Sequence, residues 1–171
     1  MAPDGFEFLA DAEAFARTSE DGVRDLTRAA IGATFYREGM TPEQLADNQR
    51  IVDISGPIAR DAAAAGHQHF AAAFAGERLA GFVIATRHAP DSHELDWLMV
   101  HPDFHGTPVS KALMDRGMAW LGTDRPMWLN VIRFNERAIR FYRRFGFEID
   151  PDTFVERSLP QWIMRRPADA A

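Results

Sequence analysis

Residues 100–112 read VHPDFHGTPVSKA, an order that suits the capture of an anion. Two prolines and a glycine within residues 101–108 break any strand that precedes them. From Val109 the apolar spacing is helical. A helix that starts directly after a strand and a tight loop presents unpaired N–H groups and the positive end of its dipole, a site for a pyrophosphate. The cradle would be the backbone of His105, Gly106, Thr107, Val109, Ser110 and Lys111, with Pro108 in the first turn and the Lys111 amine as an added point charge. A strand–loop–helix connection that binds nothing is the other reading. Just upstream, Glu94 and Asp96 fall on one strand face with Leu98. A carboxylate there could take a proton directly or through a water, or both could sit in solvent at the strand start. His67, His69, His93, His101 and His105 invite a metal reading, but no carboxylate-rich or cysteine cluster stands at ligand spacing, so no metal is expected.

These residues need a frame. Residues 95–100 form an apolar run suited to a buried strand. Past the loop, Val109, Ala112, Leu113, Gly117, Trp120 and Leu121 share one helical face. Pro126 opens a second strand over residues 127–132. Asn135 is placed to cap a helix whose buried stripe is Ala138, Phe141, Tyr142 and Phe145, with Gly146 as its left-handed stop.

Two of these segments have a recognisable wording. V-H-P at residues 100–102, followed by H-G-T-P-V-S-K-A-L at 105–113, resembles the acyl-CoA loop of the GNAT superfamily of N-acetyltransferases. That loop reads V-x-P, then R/Q-x-x-G-x-G/A, then a small residue and Leu. Residues 135–147, N-E-R-A-I-R-F-Y-R-R-F-G-F, look like the same family's N-x-x-A-x-x-F/L-Y-x-x-x-G-F signature. The resemblance covers about residues 80–167. It implies an α/β (α+β) fold with a mixed, mostly antiparallel sheet of six to seven strands flanked by helices. The implied reaction moves an acetyl group from acetyl-CoA, as co-substrate, to a primary amine by direct attack in a ternary complex.

The resemblance also assigns roles. The N–H of Leu98 would face the thioester carbonyl, an oxyanion-type contact. Met99 and Val100 would continue the strand that pairs with the pantetheine arm, and Asn135 would touch the arm from the other side as well as capping its helix. Tyr142 would protonate the departing thiolate: a phenol near pKa 10 can donate to a thiolate whose acid lies near 8.5. Core packing is the alternative for Tyr142. Glu94 falls where several members carry a base glutamate. The chain departs from the pattern at three places: His105 stands for Arg or Gln, Pro108 for the middle glycine, and Ser110 for Gly or Ala. Proline has no N–H, so one donor is missing, at a cost of about 1.5–3 kcal/mol of binding. A non-catalytic acyl-CoA-binding module of the same fold is the rival reading.

Bulk properties narrow the field further. The chain has 171 residues, 46% apolar and 26% charged, as expected of one globular domain over residues 1–171. With no cysteine it can carry no disulfide and no acyl-cysteine intermediate. A net charge of −6 argues against nucleic acid as a partner and leaves a small-molecule or peptide amine as acceptor. Residues 1–5 lack the basic and apolar regions of a signal peptide, and no run approaches the roughly 18 apolar residues of a membrane span, so a cytoplasmic protein is the default. A homodimer is compatible with the family. Elsewhere the pattern predicts a first strand around Phe6 and Phe8 and a helix over residues 21–36. A second helix opens at Thr41 and Pro42, is interrupted at 55–57, and resumes over 58–65. A hairpin over 68–74 and 79–86 turns at Gly76 and Glu77, a loop covers 88–92, and short strands fill 154–157 and 161–165. The acceptor pocket is expected around Phe35, Tyr36, Met40 and residues 51–58.

Overall fold

A computed structural model describes residues 5–171. The leader-peptide expectation rests mainly on Met1 to Asp4 and lies outside the described residues. The chain starts with β1 (Glu7–Ala10) and a short α1 (Asp11–Ala16), then two longer helices, α2 (Glu20–Thr34) and α3 (Pro42–Ala64). Ser19 caps α2 by accepting from the Gly22 N–H, and Thr41 and Gln44 form a reciprocal capping box at the start of α3. The expected break in the second helix does not occur: α3 runs unbroken through Pro57. Proline there leaves the Asp53 carbonyl without its usual donor, and Arg24 Nε of α2 supplies one at 3.3 Å. Gly56 completes the fit, because a Cβ at that position would stand 2.7 Å from the Glu20 carbonyl oxygen. Tertiary contact overrides the sequence break.

The sheet adds β2 (Gln68–Ala75), β3 (Arg78–Ala89) and β4 (Ser92–Val100). The loop expected over residues 88–92 is instead the end of a long hairpin, with Arg87 opposite His93 and Ala89 opposite Ser92. β4 therefore begins early enough to include Glu94. After α4 (Val109–Leu121) come β5 (Met127–Ile132), α5 (Glu136–Arg143), β6 (Glu148–Val155) and β7 (Gln161–Arg166). The buried face of α4 includes Met114 and Met118, while the fully buried residue of α5 is Ile139; Phe141, Tyr142 and Phe145 are only partly covered. Gly146 ends that helical segment at φ +86°, as its position predicts.

Among the described residues, seven strands make one sheet in the order β1-β2-β3-β4-β5-β7-β6, antiparallel throughout except between β4 and β5. Apolar clusters lie on both faces. One places Phe70, Phe74, Phe82 and Ile84 with residues of α1, α2 and α3. The other sets Ala71, Ala73, Val83 and Leu95 beneath Leu113 and Met114 of α4. The alanines of β2 thus act as thin spacers. No helix among the described residues is long and apolar enough to cross a membrane.

Candidate active site

The site follows from one irregularity in β4. Ile84 of β3 is opposite Trp97, but its neighbour Ala85 is opposite Leu95, so Asp96 is an extra residue, a β-bulge. The bulge inverts the alternation. Leu95, Leu98 and Val100 pack with the α4 cluster, whereas Trp97 and Met99 pack with the other. The expectation that Glu94 and Asp96 share a face with Leu98 is corrected accordingly. Glu94 and Asp96 lie on the side of Thr86, which donates to the Asp96 carboxylate at 3.3 Å, and Leu98 lies on the opposite side.

The same bulge opens a cleft. β4 and β5 pair only at His93 with Met127 and at Glu94 with Trp128; beyond Glu94 the two strands part. The gap is a cavity of about 420 Å³ walled by residues 96–100 of β4, Asn130, Val131 and Ile132 of β5, the loop before α4, and α5 with Phe141 and Tyr142. Thr34 and Phe35 of the α2 end close another side. Because the His101 N–H bonds the Ala80 carbonyl on β3, alternation turns the backbone groups of Leu98 and Val100 into the cleft. That same alternation turns the backbone of Met99 toward β3, so Met99 offers the cleft no main-chain donor.

At the α4 end of the cleft, Gly106 adopts φ +80° and the helix begins at Val109, with Pro108 as its N-cap. The His105 N–H is taken by the Pro102 carbonyl and that of Thr107 by the Phe104 carbonyl, while the Val109 N–H leans on Thr107 Oγ1 at 3.5 Å. Among the described residues, the N–H groups of Gly106, Ser110 and Lys111 have no internal acceptor. These three donors, rather than the whole loop, are free to receive an anion. Lys111 Nζ is exposed and bonds Asp115 at 2.6 Å, turned to its own helix. The cations missed in the sequence are Arg137 and Arg144, which line the cavity from the α5 segment; Arg137 reaches His105 Nδ1 at 3.2 Å. Burial and the Arg137 charge push the His105 pKa down, so it contributes no positive charge of its own at neutral pH.

The opposite end carries two carboxyl groups of raised pKa. Glu94 is not at an exposed strand start: its side chain is only 7% exposed, held by His88 Nε2 at 2.6 Å and Asn130 Nδ2 at 3.4 Å. Burial, then the nearby Asp96 charge, raise the Glu94 pKa to about 7 against the opposing pull of His88 and Arg157. Asp96 is raised too, by burial, with Thr86 opposing. Asn130 lines the cavity and so joins Glu94 to it. Its signal in the sequence was a lone polar residue within an apolar strand. Tyr142 lies in the cavity wall, and burial lifts its phenol to about 12. Among the described residues its hydroxyl has no hydrogen-bond partner, so it is a free proton donor at neutral pH. Asn135 accepts the Ala138 N–H with Oδ1 and also borders the cavity.

The remaining histidines are dispersed. His69 bonds Asp11 and stacks on Trp120, His101 caps a turn by accepting the Asp103 N–H, and His93 is buried beside α4. No group of three metal-ligating side chains occurs among the described residues.

Residues 33–147 match the model of the acetyltransferase (GNAT) family, reaching further toward the N-terminus than the two signatures. Uncharacterized N-acetyltransferases of Mycobacterium bovis and Mycobacterium tuberculosis are 38% identical over 77 residues, 43% of this chain and 48% of theirs. The matched stretch thus spans about half the length of these curated relatives. PaiA N-acetyltransferase from Thermoplasma acidophilum, solved in complex with coenzyme A, superimposes with a TM-score of 0.72 at 18% identity, over 98% of this chain and 99% of that one. A GNAT-family acetyltransferase from Staphylococcus aureus gives 0.69 at 14% identity, over 96% and 99%. With the family model spanning well over half of its residues, and with the seven-stranded sheet parted between β4 and β5, this chain belongs to the GNAT acetyltransferase family.

Proposed function

We propose that this chain transfers an acetyl group from acetyl-CoA to a primary amine, the amine attacking directly in a ternary complex. The observation that carries the reading is the cleft between β4 and β5, with free N–H donors and arginines at one end and a buried carboxylate of raised pKa at the other. The donor set fits the co-substrate: Gly106, Ser110 and Lys111 present N–H groups to a pyrophosphate, Arg137 and Arg144 add charge, and Leu98 and Val100 present backbone groups to an extended amide-bearing arm. Acetyl-CoA supplies the activated acyl group and a thiolate as leaving group.

The remaining steps belong to the chain. An alkylammonium, with a pKa of about 10, must lose a proton before it can attack. Glu94 takes that proton through a water held beside Asn130, because a carboxylate with a pKa near 7 is half ionised at neutral pH and still basic. Leu98 N–H polarises the acyl oxygen. Tyr142 returns a proton to the thiolate, its own acid form being the only one populated. The acceptor is a small-molecule or peptide amine that enters beside Thr34 and Phe35.

Calorimetric titration with acetyl-CoA, followed by thiol release across a panel of amines, tests the reading. Micromolar binding and amine-dependent thiol release are expected. Tyr142→Phe should keep the binding and lose about 10²-fold in kcat. Binding without turnover for every amine would favour the non-catalytic module, and absence of binding to both acetyl-CoA and CoA would end the acyl-CoA reading altogether.

A further inference from the structure

Glu94 faces a physical difficulty. A carboxylate 7% exposed, with a second carboxylate at Asp96 on the same side, is driven toward its neutral form, which is useless as a base. Something must hold it ionised. The groups that face it are Asp96 on its own strand, Arg157 from the β6–β7 connection, Asn130 on β5 and His88 on β3. Asp96 opposes ionisation. Arg157 acts only through space, and Asn130 is 3.4 Å away. The short contact is His88 Nε2 to Oε2 at 2.6 Å, where the Nε2–H tautomer donates to the carboxylate whenever Glu94 is ionised.

That contact is built by three features. The β3–β4 register slips between Arg87 and Ala89, leaving His88 as the unpaired residue whose ring leans over Glu94. Trp128, the β5 partner of Glu94, stacks on the His88 ring at 5.7 Å and 23°. Trp128 is in turn fixed by donating Nε1–H to Ser92 Oγ at 3.2 Å. His88 is 45% exposed, so the imidazole spans from the buried carboxylate to solvent.

We propose that His88 is the positioning residue of Glu94: its Nε2–H, aimed by the β3 bulge and the Trp128 ring, keeps the carboxylate ionised and turns the other oxygen toward Asn130 and the cavity. The inference rests on the acetyl-transfer reading for its catalytic consequence, but the contact itself can be tested without turnover. The experiment compares the native protein with His88→Ala and His88→Gln, whose amide N–H can replace Nε2–H. Glutamate side-chain carboxyls labelled with ¹³C are titrated by NMR, Glu94→Gln assigning the resonance, and kcat/KM is measured against pH.

In the native protein the Glu94 resonance should titrate near neutrality. His88→Ala should move its midpoint up by about one pH unit and move the acid limb of kcat/KM with it. That makes a loss of about tenfold at pH 6.5 that vanishes by pH 9, and His88→Gln should restore both. An unmoved midpoint in His88→Ala would overturn the proposal, as would a loss of rate equal at every pH or a failure of His88→Gln to rescue. If the native protein acetylates no amine, the acetyl-transfer reading fails, and the carboxyl titration alone upholds or overturns the His88 contact.

Discussion

The two ends of the β4–β5 cleft are made from the same pair of strands and have opposite chemistry. Where the strands still pair, at Glu94 and Trp128, they bury a carboxylate and raise its pKa. Where they have parted, the α4 N-terminus and the α5 arginines present N–H donors and positive charge around an open slot. The Asp96 bulge separates the two regimes within a few residues. The comparison teaches that a local change of strand register can set a buried carboxyl pair beside one end of a cavity whose other end presents free N–H groups and arginines. Burial makes the acceptor end strong, because an unscreened carboxylate pair is sensitive to every neighbour. Partial exposure makes the anion end tolerant, since several donors share the load.

Breaking the acceptor end should have the largest effect. Glu94→Gln is expected to lower kcat/KM by about 10²–10⁴-fold and to remove its acid limb, read from pH–rate profiles. Its effect on stability should have the opposite sign. The Glu94 pKa is raised in the folded chain, so its contribution is fully present below the ordinary glutamate value of about 4.3 and is lost as pH rises through about 7. The Tm advantage of Glu94→Gln over the native protein should therefore grow between pH 5 and pH 8. A constant difference would mean that Glu94 is not the group being desolvated.

At the anion end the effects should be smaller. Arg137→Ala is expected to weaken CoA binding about tenfold, more at low salt than at high, by calorimetry. Lys111→Ala should change binding little, because Lys111 is exposed and already paired with Asp115; equal losses would show that the two cations share the ligand. Smallest of all, Pro108→Gly should tighten CoA binding a few-fold by restoring an N–H, partly offset by the flexibility that glycine adds.

Much of the frame was legible because it is local. The Thr41 and Asn135 caps, the Gly146 stop, the 127–132 strand and the Gly76 turn each depend on a few adjacent residues, and each appears where its residues call for it. The free N–H groups at the start of α4 were legible for the same reason, since a loop and a helix start are contiguous in the chain. What misled was also local. Pro57 reads as a break, and only the Arg24 side chain from another helix supplies the donor that lets α3 continue. Residues 88–92 read as a loop, and only pairing with β3 makes them a hairpin end.

The sequence by itself determined the helix caps, the turns, the absence of thiol chemistry and the loop that leads into α4, all properties of composition or of near neighbours. Tertiary structure alone decided which face Glu94 occupies, that His88 rather than another histidine meets it, and that Arg137 and Arg144 of the α5 segment join the cavity wall while the Lys111 amine bonds Asp115. The physical reason is register. A bulge shifts side chains by one position, its cost is set by strands far away in the chain, and no short-range pattern records it.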